Sequence, residues 1–172
     1  MLHFFYLILL ISCYLPQLSL AHSLNIKVAL SPIGLFEITS DKLFGEIRYK
    51  SDKKQVSGIY EANRLSVKTT NLKTGIELRD AHLHKYLNSK KYSRVYMENI
   101  KIKDLNGTGL LAINGVKKKL KFKVQEKENE LSTNFTIKLS DYNLKPKSFM
   151  GISTEKSAIV EIFVRKKDVL KK

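Results

Sequence analysis

The sequence predicts an all-β, mainly antiparallel fold of about eight short strands with one or two short helices, closed as a barrel. Apolar and polar residues alternate with a period of two along most of the chain. Turn-forming dipeptides separate the alternating runs at near-regular intervals. Charged residues collect on one face of these runs, as in an antiparallel sheet that covers a core on one side only. The same patterns fit a sandwich, but the barrel is favoured.

The first predicted strand covers residues 25–31, where three apolar side chains share one face. Strand-like composition continues over 43–50 and 56–70. Residues 74–83 then read as a turn that leads into a short helix with a charged first turn. Asp80 is expected at the N-cap of this helix, because a short carboxylate side chain accepts hydrogen bonds from free helical N–H groups.

The parity of the apolar residues slips by one position in the next strand, between Val95-Met97 and Ile100-Ile102. An extra residue in one strand produces such a slip, so a β-bulge is predicted at Glu98-Asn99. Three turn signals follow, and they predict turns between the later strands: Asn106-Gly107, Asn114-Gly115 and Glu128-Asn129.

The clearest strand lies at residues 119–125, where apolar and lysine side chains alternate strictly. Residues 131–139 repeat this alternation, and residues 159–164 are apolar on both faces for part of their length. A strand that is apolar on one face and charged on the other is typical of a sheet with one wet side.

The N-terminal segment, residues 1–21, has the layout of a secretory signal peptide: an apolar run, Pro16 and a small-x-small site that ends at Ala21. Cleavage there predicts a periplasmic or secreted protein with one domain, 22–172. A lipobox ending at Cys13 is the alternative and would make a lipoprotein. After cleavage at Ala21 no cysteine remains, which excludes disulfides and thiol catalysis in the mature chain.

The formal net charge of +15 lies wholly on the mature chain, because residues 1–21 contain no Asp, Glu, Lys or Arg. Such an excess attracts anionic surfaces. The lysines of one predicted strand form a stripe that either docks on anionic membrane or is an ordinary solvated face: Lys117, Lys119, Lys121 and Lys123. Nucleic acid is disfavoured as a partner, because the lysines lack matched aromatic side chains.

Two motifs resemble the YceI-like family of secreted bacterial proteins. The first comprises Thr74, Gly75, Arg79, Asp80, His82 and Leu83; the second comprises Gly109, Leu111, Ile113, Gly115 and Val116. The resemblance implies an extended, lipocalin-like barrel whose apolar tunnel holds a polyisoprenoid or an isoprenoid quinone. The chain departs from the family pattern at Ser93-Arg94 and in the loop 142–152, which is expected near one end of the barrel.

The site residues expected from alternation and resemblance fall into two groups. The tunnel lining is predicted to comprise Leu111, Ile113, Leu120, Phe122, Val124, Phe135, Ile137, Val160 and Ile162. The mouth is predicted to comprise Arg79, Asp80 and His82. The expected mechanism is binding and release of an isoprenoid lipid by a monomer or homodimer, with no cofactor and no catalytic residue.

Two other functions stay open at this stage. The first is a filled barrel that acts through its basic exterior on anionic membrane or lipopolysaccharide. The second is a lipid-modifying enzyme that uses Asp80 and His82, although no nucleophile is visible beside them. His82 and His84 would also suit a metal, but histidines are too few in the chain to favour one.

Overall fold

The computed structural model describes residues 23–32, 34–51, 58–149 and 152–171. The predicted signal peptide and the alternative lipidation site at Cys13 lie outside these residues. The described part of the chain contains strands joined by short connections, one α-helix and three short 3₁₀ segments. None of its helices is long and apolar enough to cross a membrane.

The bounds of the strands are β1 (Ser23–Ser31), β2 (Gly34–Ser40), β3 (Arg48–Lys50), β4 (Ile59–Lys68), β5 (Arg94–Lys103), β6 (Asn106–Ile113), β7 (Val116–Glu126), β8 (Glu130–Lys138), β9 (Ser148–Phe149), β10 (Ile152–Arg165) and β11 (Leu170–Lys171). Strands β1, β4, β7, β8 and β10 overlap predicted runs, whereas no run was predicted over β2. The helix α1 covers Glu77–Tyr86, and the 3₁₀ segments cover Thr69–Asn71, Leu139–Tyr142 and Lys166–Asp168.

All strands belong to one sheet in the order β11-β3-β4-β5-β6-β7-β8-β10-β1-β2, and β9 pairs with β10 beside this path. The pairs are antiparallel except β11 with β3, which is parallel. Consecutive strands from β4 to β8 are neighbours, as short hairpin connections require. The C-terminal β10 then returns to pair with the N-terminal β1.

The sheet curls until its β2 edge meets the region of β4. Thr39 and Lys73 exchange two backbone hydrogen bonds of 2.8 and 2.9 Å. Phe44 and Ser66 exchange two more, of 2.8 and 2.7 Å. The first bridge joins β2 to the segment that follows β4, and the second joins the segment that follows β2 to β4 itself. The two bridges are isolated and do not form a long ladder.

The predicted all-β, mainly antiparallel barrel-like fold is confirmed, but the chain has more strands than the eight predicted. Ten strands lie on the continuous path and β9 adds one more. The three strands β3, β9 and β11 are only two or three residues long. A period of two cannot be recognised in so few residues. Of the run predicted at 43–50, only β3 and the isolated bridge at Phe44 pair in the sheet.

The bulge predicted at Glu98-Asn99 is confirmed. The register between β5 and β6 shifts by one residue between Glu98 and Lys101, and Asn99 adopts a left-handed backbone with φ of 55°. Asparagine tolerates this conformation better than most residues. The extra residue bends β5 and so promotes curling of the sheet.

The turn predicted at Asn106-Gly107 is wrong. The hairpin between β5 and β6 turns at Asp104 and Leu105, whose φ values are 49° and 59°, and Asn106 is already the first residue of β6. Gly107 serves packing instead, because a Cβ there would lie 2.1 Å from the ring of Phe122. The turns predicted at Asn114-Gly115 and Glu128-Asn129 do connect β6 to β7 and β7 to β8.

The inner face of the sheet carries the core. Val124 of β7, Phe135 and Ile137 of β8, and Val160 of β10 are buried there. The lysines that alternate with the apolar residues of β7 are exposed. On β7 the apolar side chains thus point inward and the lysines into water, as the alternation predicts. The residues of the inner face enclose the candidate site.

Candidate functional site

The inner face of the sheet surrounds a cavity of about 630 Å³, within the range of about 300–1,000 Å³ that is usual for small-molecule sites. Strands β1, β2, β4, β5, β6, β8 and β10 and the helix α1 contribute side chains to its wall. The wall is almost entirely aliphatic and aromatic. No Asp or Glu among the described residues lines it.

Strand periodicity explains how this wall forms. On β1, the alternate residues Leu24, Ile26, Val28 and Leu30 all line the cavity, because alternate side chains of a strand share one face. The same rule brings paired or neighbouring residues of β8 and β10 to the wall, where Phe135 is the register partner of Val160. The cavity therefore runs along the strands rather than indenting one end of the barrel.

Six of the nine residues predicted as tunnel lining line this cavity: Leu111, Ile113, Phe135, Ile137, Val160 and Ile162. Phe122 and Val124 instead line a second, much smaller cavity of about 50 Å³. Leu120 is half-buried against the core but lines neither. All three lie on β7, which pairs with β8 only through its last residues, 123–126, so its apolar face points to the smaller cavity at that end of the sheet.

A partition separates the two cavities. The side chains that line both of them are Leu65, Met97, Ile100, Phe135 and Ile162. The ring of Phe135 lies on the partition beside the ring of Phe122, with 6.0 Å between the ring centroids, a favourable distance for an aromatic pair. The large cavity thus ends at a defined group of side chains.

The helix α1 forms one side of the other end of the large cavity, which we call the mouth. Arg79 and His82, both predicted at the mouth, line the cavity there, together with Tyr86. The guanidinium carbon of Arg79 lies 5.8 Å from the ring centroid of Phe36, on β2. A cation at this distance from an aromatic ring contributes a modest attraction, which ties the helix to the edge of the sheet.

Asp80, also predicted at the mouth, does not line the cavity. Its buried carboxylate accepts hydrogen bonds from the backbone N–H of Thr74 at 2.6 Å and from the Thr74 hydroxyl at 2.8 Å. The Nζ atom of Lys73 lies 3.5 Å away. These interactions, led by the Thr74 N–H, outweigh desolvation and hold the pKa of Asp80 below its ordinary value.

The N-cap position predicted for Asp80 is wrong as well. The helix begins at Glu77, its N-cap residue is Ile76, and the Asp80 N–H already donates to the Ile76 carbonyl at 2.9 Å. The carboxylate instead ties the loop before the helix to its first turn. A ring nitrogen of His84 lies 3.0 Å from the Leu72 carbonyl oxygen and so anchors the next turn.

The loop after β8 forms the opposite side of the mouth. Leu144 and Lys147 line the cavity beside Thr154 of β10, and the Tyr86 hydroxyl donates a 2.8 Å hydrogen bond to the Lys145 carbonyl. Residues 144–147 of the segment expected near one end of the barrel, 142–152, thus meet α1 across the mouth. Phe36, Tyr86 and Lys147 were not predicted as site residues, because no local sequence pattern marks them.

The described residues carry no cluster suited to holding a metal ion, because they contain no group of three or more His, Cys, Asp or Glu side chains placed to do so. The lysine stripe lies on the outer face of β7, away from the cavity, and its Lys117 pairs with Glu98. This hydrogen bond raises the pKa of Lys117 and lowers that of Glu98.

A curled antiparallel sheet with one helix beside an apolar interior cavity is the architecture of a ligand-binding barrel. Comparison of the sequence with protein families gives the more specific result. Residues 26–164 match the YceI-like domain, and the chain belongs to the YceI-like family. No curated protein sequence matches it significantly.

Solved structures with the same fold include three bacterial proteins. Burkholderia cenocepacia BcnA superposes with a TM-score of 0.60 at 11% identity, covering 81% of this chain and 94% of BcnA. A polyisoprenoid-binding domain from Saccharophagus degradans, implicated in plant cell wall breakdown, gives 0.54 at 17% identity, covering 86% and 95%. The YCEI protein of Campylobacter jejuni gives 0.51 at 20% identity, covering 74% and 82%.

Proposed function

We propose that the protein is an exported carrier that holds one polyisoprenoid or isoprenoid quinone chain in the large cavity and sequesters or transports it in the cell envelope. The main support for this proposal is the elongated apolar wall of the cavity, which no carboxylate among the described residues lines. Such a wall suits a long hydrocarbon and offers nothing to a polar solute. Membership of the YceI-like family, together with the likeness of its fold to a polyisoprenoid-binding domain, supports the isoprenoid class.

Burial of hydrocarbon supplies the affinity in this proposal. Each methylene group removed from water contributes about 0.8 kcal/mol, and ordering of the chain offsets part of the total. A ligand of several isoprene units that fills the cavity should therefore dissociate slowly. We expect it to remain bound through purification.

The proposal contains no catalytic step and no cofactor. Asp80, which the enzyme hypothesis pairs with His82, is held by Thr74 and Lys73 instead. A hydrogen-bonded carboxylate with a lowered pKa is a poor general base. The enzyme hypothesis predicts turnover of bound lipid that disappears in His82→Ala, whereas the carrier hypothesis predicts that bound lipid is recovered unchanged.

Export through cleavage after Ala21 forms part of the proposal and has its own test. N-terminal sequencing of the protein recovered from the envelope of its native host should begin at His22. A lipid-modified Cys13 at the N-terminus would replace the soluble carrier with a lipoprotein, and a chain that begins at Met1 in the cytoplasm would contradict export.

The decisive experiment is mass spectrometry of an organic extract of the protein purified from its native envelope. A stoichiometric isoprenoid supports the carrier and identifies the ligand. An empty extract, together with no uptake of added quinone or polyprenol, contradicts it.

A pair of variants separates the cavity from the exterior. Phe135→Lys puts a charge on the wall of the cavity, where Phe135 is 9% exposed, and should abolish lipid retention. Lys121→Glu changes an exposed residue of β7 and should leave retention unchanged. Circular dichroism must show that Phe135→Lys is folded, and Ile162→Lys, which charges a partly buried residue of the same wall, replaces it if it is not. Equal effects at both positions would contradict the cavity assignment.

A second candidate function rests on the exterior of β7. Lys117, Lys119, Lys121 and Lys123 are exposed on one face, and they would bind anionic membrane or lipopolysaccharide. Binding through this stripe should weaken steeply as ionic strength rises, because salt screens exposed charges. Lipid held in the cavity should be retained at every salt concentration.

A further inference from the structure

Exposed apolar side chains concentrate at the mouth of the cavity. Seven large apolar residues are exposed in the described part of the chain. The three most exposed of the seven are Leu78, Leu35 and Ile76, whose solvent-exposed fractions are 69%, 66% and 50%. Soluble proteins tolerate single exposed leucines, but a group of them beside a functional opening indicates an interaction surface.

The position of these three residues follows from their neighbours. Leu35 precedes Phe36, whose side chain lines the cavity and lies beside the Arg79 guanidinium. Leu78 precedes Arg79 on the first turn of α1, and Ile76 is the N-cap residue of that helix. Leu35 therefore lies on the exposed outer face of β2, opposite Phe36, whereas Ile76 and Leu78 lie at the start of α1, so the three residues belong to the strand and the helix that form one side of the mouth. We call Leu35, Ile76 and Leu78 the collar.

Basic side chains lie near the collar. Arg79 and Lys147 line the mouth itself, and Lys145 lies on the loop that receives the Tyr86 hydroxyl. No described carboxylate lines the cavity, although Glu77 lies between Ile76 and Leu78 in the first turn of α1, and the carboxylate of Asp80 is paired with Lys73. Basic side chains around exposed apolar ones match the two layers of an anionic bilayer surface, because phosphates lie above the acyl chains.

We propose that the collar docks on the surface of an anionic phospholipid bilayer, with its three apolar side chains in the interface and Arg79 and Lys147 beside the phosphates. The mouth then faces the acyl chains, and an isoprenoid chain passes between bilayer and cavity without crossing water. The role in lipid passage rests on the proposed function, whereas the docking itself rests on the exposed side chains and their charges.

Co-sedimentation with vesicles of phosphatidylglycerol and phosphatidylcholine tests the docking. In the collar variant, Leu35→Ser with Leu78→Ser, we expect the partition coefficient to fall roughly tenfold or more, because two apolar side chains no longer enter the interface. The matched control, Ile159→Ser with Leu170→Ser, removes two exposed apolar residues on β10 and β11 and should bind as the wild type does. Equal binding by the collar variant and the wild type would overturn the proposal.

The lysine stripe on β7 is the alternative site of contact with the vesicle. Replacement of Lys117, Lys119, Lys121 and Lys123 by Gln should change vesicle binding much less than the collar variant does. Loss of binding in the stripe variant, with binding kept in the collar variant, would place the contact on β7 and overturn the proposal.

Fluorescence gives an independent readout, because the chain contains no tryptophan. A Leu78→Trp variant should show a blue-shifted emission when anionic vesicles are added, and Leu170→Trp should not. An unshifted Leu78→Trp spectrum at saturating vesicle concentration would contradict insertion of the collar.

Failure of the docking and failure of the carrier function are distinguishable. Protein that carries an extracted isoprenoid but ignores vesicles contradicts the docking and leaves the carrier intact. Collar-dependent vesicle binding by a protein with an empty extract supports the docking and contradicts the carrier.

Discussion

Replacement of Phe135 by alanine tests whether the partition sets the length of the bound chain. Phe135 is 9% exposed and lies on the wall shared by the large and small cavities. Removal of its ring joins the space of about 630 Å³ to that of about 50 Å³. We therefore expect the lipids that Phe135→Ala retains to have chains about one isoprene unit longer than the chains of the lipids that the wild type retains.

The stability cost of this change follows from its burial. Truncation of a buried phenylalanine to alanine costs about 3–5 kcal/mol. In a domain of this size that lowers Tm by about 6–20 °C, since each kcal/mol shifts Tm by about 2–4 °C. Each methylene group that the longer lipid buries contributes about 0.8 kcal/mol, roughly fourfold in affinity. Added lipid should therefore raise the Tm of Phe135→Ala, and a lipid with a longer chain should raise it more.

The assay offers an equimolar mixture of isoprenoid quinones of different tail lengths and measures, by mass spectrometry, which remain bound. Phe122→Ala is the matched control, because it removes the partner ring at 6.0 Å but lines only the small cavity. It should leave the length distribution unchanged. An unchanged distribution in folded Phe135→Ala, or an equal shift in both variants, would refute the assignment of the partition.

Two further predictions concern stability. Gly107→Ala should cost about 1–3 kcal/mol, because its Cβ would lie 2.1 Å from the Phe122 ring; thermal unfolding measures this, and adding Phe122→Ala should recover part of the loss. Asp80→Asn should destabilise the protein most at neutral pH. Its carboxylate has a lowered pKa in the folded state, so its contribution is complete above the ordinary value of 3.8 and is lost as pH falls through the folded pKa. The difference in Tm between wild type and Asp80→Asn should thus shrink in acid, and a constant difference would contradict the role of the Thr74 hydrogen bonds.

The features that the sequence predicts are those determined by residues close together in the chain. Alternation locates the strands around Phe122, Phe135 and Val160, since side-chain parity is a local property. The bulge at Asn99 is equally local, because one extra residue reverses the parity. The resemblance to the YceI-like family then identifies the inner face of the sheet as the candidate ligand site, and the family assignment is confirmed.

The remaining features depend on register between distant strands. Asn106-Gly107 reads as a turn, yet Gly107 is needed because its register partner is Phe122. The division into two cavities depends on how far along the barrel each of Leu120, Phe122 and Val124 lies, which no alternation reveals. The role of Asp80 depends on the path of the loop before α1, so its sequence position suggests an N-cap that does not form.

The bridges Thr39–Lys73 and Phe44–Ser66 leave the sheet with a seam. Ladders of four or more residue pairs join the other neighbouring strands from β4 through β10 to β2, whereas at the seam two isolated bridges supply only four backbone hydrogen bonds. Short, isolated pairings open at lower free energy than long ladders. We expect the amide hydrogens of these four residues to exchange earlier than those in the middle of β4 or β10. If these bridges open first, the circumference of the barrel changes along this seam, and we expect a thicker or branched apolar ligand to widen the barrel there.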